Sequence, residues 1–140
     1  MKTKIIYLLI MLIGCTAAVY GGGRRQGDKV GVSVAETIYD FGTIYDDSPN
    51  VQHTFTLTNN GSGAVAILSA SASCGCTKPK YDKKPFRPGE SSEIHVTFIP
   101  TGQSGEINKD VKVRLKSAAG KSETVNLHLR GVVLPRQSKR

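Results

Sequence analysis

Between Asp110 and Lys116 every second residue is apolar. Val111, Val113 and Leu115 alternate with Asp110, Lys112, Arg114 and Lys116. A period of two belongs to a strand with one dry and one wet face, and it does not fit the 3.6-residue repeat of an amphipathic helix. The same alternation recurs along the chain. Val30, Val32 and Val34 are spaced by Gly31, Ser33 and Ala35. Phe55 and Leu57 alternate with threonines over residues 53–58, and Val65 and Ile67 are in phase over 64–69. Ile94, Val96 and Phe98 oppose Glu93, His95 and Thr97, and Val125, Leu127 and Leu129 oppose Asn126, His128 and Arg130. Runs rich in Gly, Asn, Pro and Ser at 59–63, 88–90, 100–105 and 119–121 supply the turns between them. About seven short strands at this spacing predict an all-β, immunoglobulin-like antiparallel β-sandwich over 30–134. The chain has no Trp and no cysteine pair spaced to bridge two sheets, so the predicted sandwich rests on apolar packing.

The first twenty residues read differently. Lys2 and Lys4 precede an uncharged apolar run from Ile5 to Ile13. That is the layout of a signal segment, and the run is too short for a bilayer span. Leu12-Ile13-Gly14-Cys15 is similar to a bacterial lipobox, in which Cys15 would become a lipid-modified mature N-terminus. Thr16-Ala17-Ala18 offers small residues for ordinary cleavage instead, and both readings stay open. Removing the 14 residues before Cys15, two of them lysines, leaves 126 residues with a formal net charge of +6. Residues 21–29 read as a flexible Gly-rich tether and 135–140 as a basic tail. The expected location is therefore the periplasm or cell envelope, with a membrane lipid anchor if Cys15 is modified. The basic balance favours anionic surfaces. No aromatic-interleaved basic stripe is present, so nucleic acid is not an expected partner.

Several ordered motifs carry a family resemblance: Tyr39-Asp40-Phe41-Gly42-Thr43-Ile44, then the run from His53 to Gly61, Ser73-Cys74-Gly75-Cys76-Thr77 with Pro79, Pro88-Gly89-Glu90-Ser91, and Val96-Thr97-Phe98-Ile99-Pro100 with Gly102 and Gly105. Over roughly 37–129 the chain resembles the bacterial family catalogued as domain of unknown function 1573, which looks related to ASPM, SPD-2 and hydin-type immunoglobulin-like domains. Leu115-Lys116-Ser117 lacks the Ser-Asn ending of that pattern. The resemblance implies a secreted or envelope β-sandwich and no enzymatic activity.

Cys74-Gly75-Cys76 is the densest local chemistry. In an oxidising compartment the two thiols can form a disulfide if the chain curls at Gly75. They can instead supply two soft ligands for Cu(I) or Zn, with His53 as a third. They can also pack as small hydrophobes with no chemistry. If the strand holding His53 and the strand ending near Cys74 are antiparallel neighbours, all three residues fall at one end of the sandwich. His53 is in phase with Phe55 and Leu57 and so points inward, whereas His95 and His128 read as solvent-face residues. Residues 77–87 read as a basic loop, with Lys78, Lys80, Lys83, Lys84 and Arg87 around Tyr81 and Phe86, a candidate anionic docking patch. No nucleophile elbow, phosphate loop, zincin motif or dinucleotide fingerprint occurs. Ser62 lies between glycines in a turn. The expected function is a non-enzymatic envelope binding or scaffolding module that meets an envelope protein or anionic surface through sheet edges and the loop after Cys76. The alternative is a small thiol-based metal-binding or redox protein using Cys74 and Cys76. No resident cofactor is expected apart from that soft ion.

Overall fold

The alternating runs become strands that bury one face each against a second sheet. The computed structural model describes residues 30–137. The expected signal segment with Cys15, the expected tether at 21–29 and the last three residues of the expected basic tail lie outside the described residues. Eight strands follow in order: β1 Val32–Val34, β2 Ile38–Tyr45, β3 Val51–Asn59, β4 Val65–Ala72, β5 Thr77–Tyr81, β6 Ser91–Phe98, β7 Gly105–Ser117 and β8 Ser122–Leu134. One sheet has the order β1-β3-β6-β5 and the other β2-β8-β7-β4. Phe55, Leu57, Ile94, Val96 and Phe98 from the first sheet meet Val65, Ile67, Val111, Val113, Leu115, Leu127 and Leu129 from the second, all buried. Burying that apolar surface is the main favourable term in such a fold.

Three features depart from the sequence reading. Among the described residues there are eight strands, where the sequence reading has about seven. The fold is not wholly antiparallel, because β2 runs parallel to β8. Residues 77–81, read as part of a basic loop, form the edge strand β5 against β6. Both extra strands arise where the chain changes sheets. It leaves β1 in the first sheet, crosses at Glu36 and Thr37, and joins the second sheet as β2. It leaves β4 in the second sheet, turns through residues 73–76, and joins the first as β5. A parallel pair is possible at β2 because its partner β8 is far along the chain and no hairpin constrains it.

Two bulges break the period. In β4 the register shifts between Ile67 and Ser69, and Leu68 between them faces outward in phase with Ala66, at 47 % exposure. In β2 it shifts between Asp40 and Thr43. There Gly42 takes φ +72°, and its N–H donates to Asp40 Oδ1 at 2.8 Å.

The strand directions define two ends. At the proximal end the described chain begins: Val30 N–H donates to Glu123 Oε2 at 3.0 Å and Asn60 N–H donates to the Gly31 carbonyl. The turns at 59–64, 82–90 and 117–121 meet there, since Val65 and Phe86 exchange backbone bonds and Ala118 N–H donates to the Ala64 carbonyl. The distal end carries the loops at 46–50, 73–76 and 99–104 and the end of β8.

Candidate interaction surfaces

The corner from β4 to β5 is the Cys74-Gly75-Cys76 turn. The structure joins the two cysteines in a disulfide with Cα atoms 5.3 Å apart, inside the span such a bridge needs. Both cysteines are half-buried. Thr77 Oγ1 lies 3.6 Å from Cys74 Sγ and 3.8 Å from Cys76 Sγ; bridged sulfurs have no proton, so the hydroxyl donates. Ser73 N–H donates to the Asp110 carbonyl, and Ile99 N–H donates to the Cys76 carbonyl. The corner is therefore tied to both sheets by backbone bonds. A bridge closing so small a loop removes little unfolded-state entropy, about 1.5 kcal/mol on the chain-entropy relation. The double substitution Cys74→Ser with Cys76→Ser is expected to lower unfolding stability by about that much. Urea melts of both proteins check it; a loss well above 3 kcal/mol, by the same relation, would mean that the bridge itself holds the corner.

His53 does not join the cysteines. The expected adjacency of its strand and β4 is corrected by the structure: β3 pairs with β1 and β6 in one sheet, and β4 pairs with β7 in the other. The nearest strand to the cysteines in the first sheet is β5, separated from β3 by β6, or about 10 Å at normal strand spacing. The inward phase of His53 holds, and its ring stacks on Tyr39 at 3.7 Å and meets Phe55 edge-on at 4.7 Å. Its Nε2 lies 3.0 Å from Glu36 Oε1. Among the described residues, no group of three His, Cys, Asp or Glu side chains is placed to share a metal ion.

The other two histidines also have carboxylate neighbours, which the sequence reading did not find. His95 Nε2 lies 3.4 Å from Glu93 Oε2, two residues back on the same strand face. His128 Nδ1 lies 2.6 Å from Asp110 Oδ1 across the β7–β8 pair. Ser73 is close to this pair, but its Oγ accepts the Asp110 backbone N–H at 3.2 Å. Ser73 is thus bonded to the backbone of Asp110, which is not the Ser–His bond of a hydrolytic triad.

The predicted basic patch divides in two. Lys78 and Lys80 are exposed on β5, along the side of the sandwich. Lys83, Lys84 and Arg87 are exposed in the following loop at the proximal end. Lys116 and Lys121, from the β7–β8 turn region, share that end.

The sheet edges are poor templates for an added strand. β1 has three residues, and the β2 edge is broken by its bulge. β5 has five residues with Pro79, which offers no N–H, at its centre. β4 is bulged and spends Val65 N–H and C=O on Phe86 and the Leu68 carbonyl on the Tyr81 hydroxyl. Short, bulged, Pro-bearing edges discourage edge-to-edge pairing. The edge contact predicted from sequence therefore has little open backbone to use, which shifts attention to the ends.

At the distal end Tyr45 on β2 and Leu134 on β8 are register partners, exposed by 46 % and 40 %. The Arg136 guanidinium lies 5.3 Å from the Tyr45 ring centre, and its Nε is 2.8 Å from Asp47 Oδ2.

Two facing sheets with strands that cross between them make an immunoglobulin-like sandwich, a fold that resembles PapD-like domains. The family described as "Protein of unknown function (DUF1573)" matches residues 32–133, and the chain belongs to it. No curated protein sequence matches the chain. Among solved structures, the ASH/PapD-like domain 7 of human CEP192 is similar at TM-score 0.65 and 13 % identity, over 79 % of this chain and 89 % of that one. The Vibrio cholerae VesB protease is similar at TM-score 0.61 and 17 % identity over 73 % of this chain, which spans only 32 % of VesB. The periplasmic chaperone SfaE is similar at TM-score 0.55 and 14 % identity, over 76 % of this chain and 59 % of SfaE. At such identities these likenesses establish the fold alone.

Proposed function

We propose that this protein is a non-enzymatic binding module of the cell envelope, exported by its N-terminal segment and meeting an envelope protein through its distal end. The observation that carries the reading is the exposed Tyr45–Leu134 pair beside Arg136. Tyr and Arg are residue types that anchor protein interfaces, and Leu134 adds exposed apolar area beside them. They stand at the end away from the point where the chain enters the domain, so a tether at 21–29 would leave them free to reach a partner. Export, and anchoring through Cys15, belong to the same proposal, and they rest on the basic-then-apolar N-terminus and the Leu12-Ile13-Gly14-Cys15 motif. The likeness to a periplasmic chaperone is compatible with it.

A photo-crosslinking side chain placed at Tyr45 in cells is expected to give one discrete protein adduct in the envelope fraction. The same group at Asn126, exposed on the outer face of β8, is expected to give none. Equal adducts from both sites, or no adduct from Tyr45, would remove the distal end as the partner surface.

A further inference from the structure

We infer that the proximal end is a second, independent surface that seats on a bilayer bearing anionic headgroups. Three observations meet there. The first is charge: exposed Lys83, Lys84, Arg87, Lys116 and Lys121 ring this end. None of them has a carboxylate partner among the ion pairs of the described residues. The local carboxylates are Asp82, Glu90 and Glu123, each accepting a backbone N–H: Asp82 from Lys84, Glu90 from Arg87 and Glu123 from Val30. Five cations against three backbone-bonded carboxylates leave a positive rim.

The second is apolar surface beside that rim. A shallow groove of about 220 Å³ is lined by Ala64, Ala66, Leu68, Pro85, Ala118 and the Lys116 stem, with Ser117 at its margin. Ala66 and Leu68 face it together because they alternate with the buried Val65 and Ile67 on β4. Cations flanking exposed apolar side chains are the composition of a surface that lies at the headgroup boundary.

The third is chain direction. The polypeptide enters the sandwich at this end, through Val30, and the segment just before it carries Arg24, Arg25 and Lys29 with one acid, Asp28. A chain held at the membrane by its N-terminus would present this end first. The acids Asp46, Asp47 and Glu106 lie at the other end. β7 spans thirteen residues between the ends, or about 40 Å, several times the ~10 Å screening length at moderate salt. The distal acids therefore do not cancel the rim. Docking in this way would point Tyr45 and Leu134 into the aqueous space. The inference shares the export reading with the proposed function but needs neither the lipid anchor nor the distal partner.

The test uses the chain from residue 15 onward with Cys15→Ser, so that neither the apolar signal segment nor an acyl chain contributes, and vesicles of mixed phosphatidylglycerol and phosphatidylcholine beside vesicles of phosphatidylcholine alone. Binding to the mixed vesicles is expected, weakening as salt rises, with little binding to the neutral ones. Reversing Lys83, Lys84 and Lys121 to Glu is expected to weaken it at least on the order of 100-fold, from about fivefold for each lysine lost near the surface. Reversing Lys78, Lys80 and Lys112, exposed on β5 and in the middle of β7, changes the charge equally away from the rim and is expected to cost about tenfold less than that. Leu68→Ser is expected to weaken binding about fivefold at every salt concentration. Equal losses from the two triple variants would overturn the inference, because net charge or the tether would then be responsible. So would binding to soluble polyglutamate as tight as to vesicles, or no vesicle binding at all. A chain that is exported but ignores vesicles refutes this surface alone. A chain that binds through the rim but is never exported refutes the envelope reading and leaves the surface standing.

Discussion

Replacing Asn59 with Ala is expected to lower the free energy of unfolding by about 2 kcal/mol, from two half-buried backbone groups losing their partner at once. Asn59 closes β3 with its side chain fully buried, at 0 % exposure. Its Nδ2 donates to the Gly63 carbonyl at 2.9 Å and to the Phe86 carbonyl at 3.0 Å. Its Oδ1 accepts the Gly61 N–H at 2.9 Å. One side chain thus stands in for backbone bonds that the 59–63 turn cannot make for itself. Phe86 would keep a partner, because its carbonyl also accepts from Val65 N–H. The Gly63 carbonyl and the Gly61 N–H would have to recruit water or move apart. Asn59→Asp sharpens the test. It keeps the acceptor for Gly61 but sets a carboxylate against two carbonyl oxygens, and should cost at least as much as Ala. Urea unfolding of the three proteins checks this. A loss under ~1 kcal/mol for Ala, the net worth of one ordinary hydrogen bond, would mean that water replaces the amide without strain.

That role was not legible in the sequence, where Asn59, Asn60 and Gly61 read simply as turn residues. The composition marks a turn; it does not say that one amide will be swallowed by the core to hold a second loop, 82–90, against it. The long regular strands were legible because β3, β6, β7 and β8 bury one face each and repeat every two residues. β2 was not read as a strand because its bulge shifts the phase. Tyr39 and Phe41 turn inward, and after the one-residue insertion so does Ile44. β5 hid behind Pro79 and its lysines. A proline costs nothing at an edge, since a donor facing away from the sheet is not needed, so the usual strand-breaking signal misled there.

The candidate site was legible in its parts and not in its assembly. Alternation placed His53 on the inner face, where it stacks on Tyr39. Which sheet each strand joins was not readable, and the expected neighbourhood of His53 with Cys74 and Cys76 failed on that point. The histidine–carboxylate contacts divide on the same line. His95 with Glu93 is an i, i+2 pair on one strand face and was within reach of the alternation rule. His128 with Asp110 and His53 with Glu36 needed the register and the sheet crossing. The basic residues were found by composition, but their separation into a strand side and a proximal rim follows from Lys78 and Lys80 belonging to β5.

Gly131→Ala is expected to cost about 3 kcal/mol, the upper part of the range for overpacking a filled site. Gly131 sits on β8 opposite the β2 bulge, and a Cβ built there falls well inside van der Waals contact with the Phe41 ring. That ring cannot simply slide inward, because its other neighbour is Phe98, stacked on it at 5.2 Å between ring centres, and Phe98 is fully buried. The added methyl must therefore expel Phe41 from its half-buried seat, losing both its apolar burial and the aromatic stack. If this is the cause, the two positions must be coupled. Phe41→Ala alone should cost about 2 kcal/mol, but in the Gly131→Ala background it should cost almost nothing further, a coupling of about 2 kcal/mol. Equilibrium unfolding of the four proteins measures it directly. Additive losses would show that Gly131 is needed for some reason other than Phe41. Strong coupling would explain why Tyr39-Asp40-Phe41-Gly42 occurs as a unit: Asp40 and Gly42 form the bulge, and the bulge sets Phe41 on the one β8 residue without a side chain, where β2 closes the sandwich beside its parallel partner.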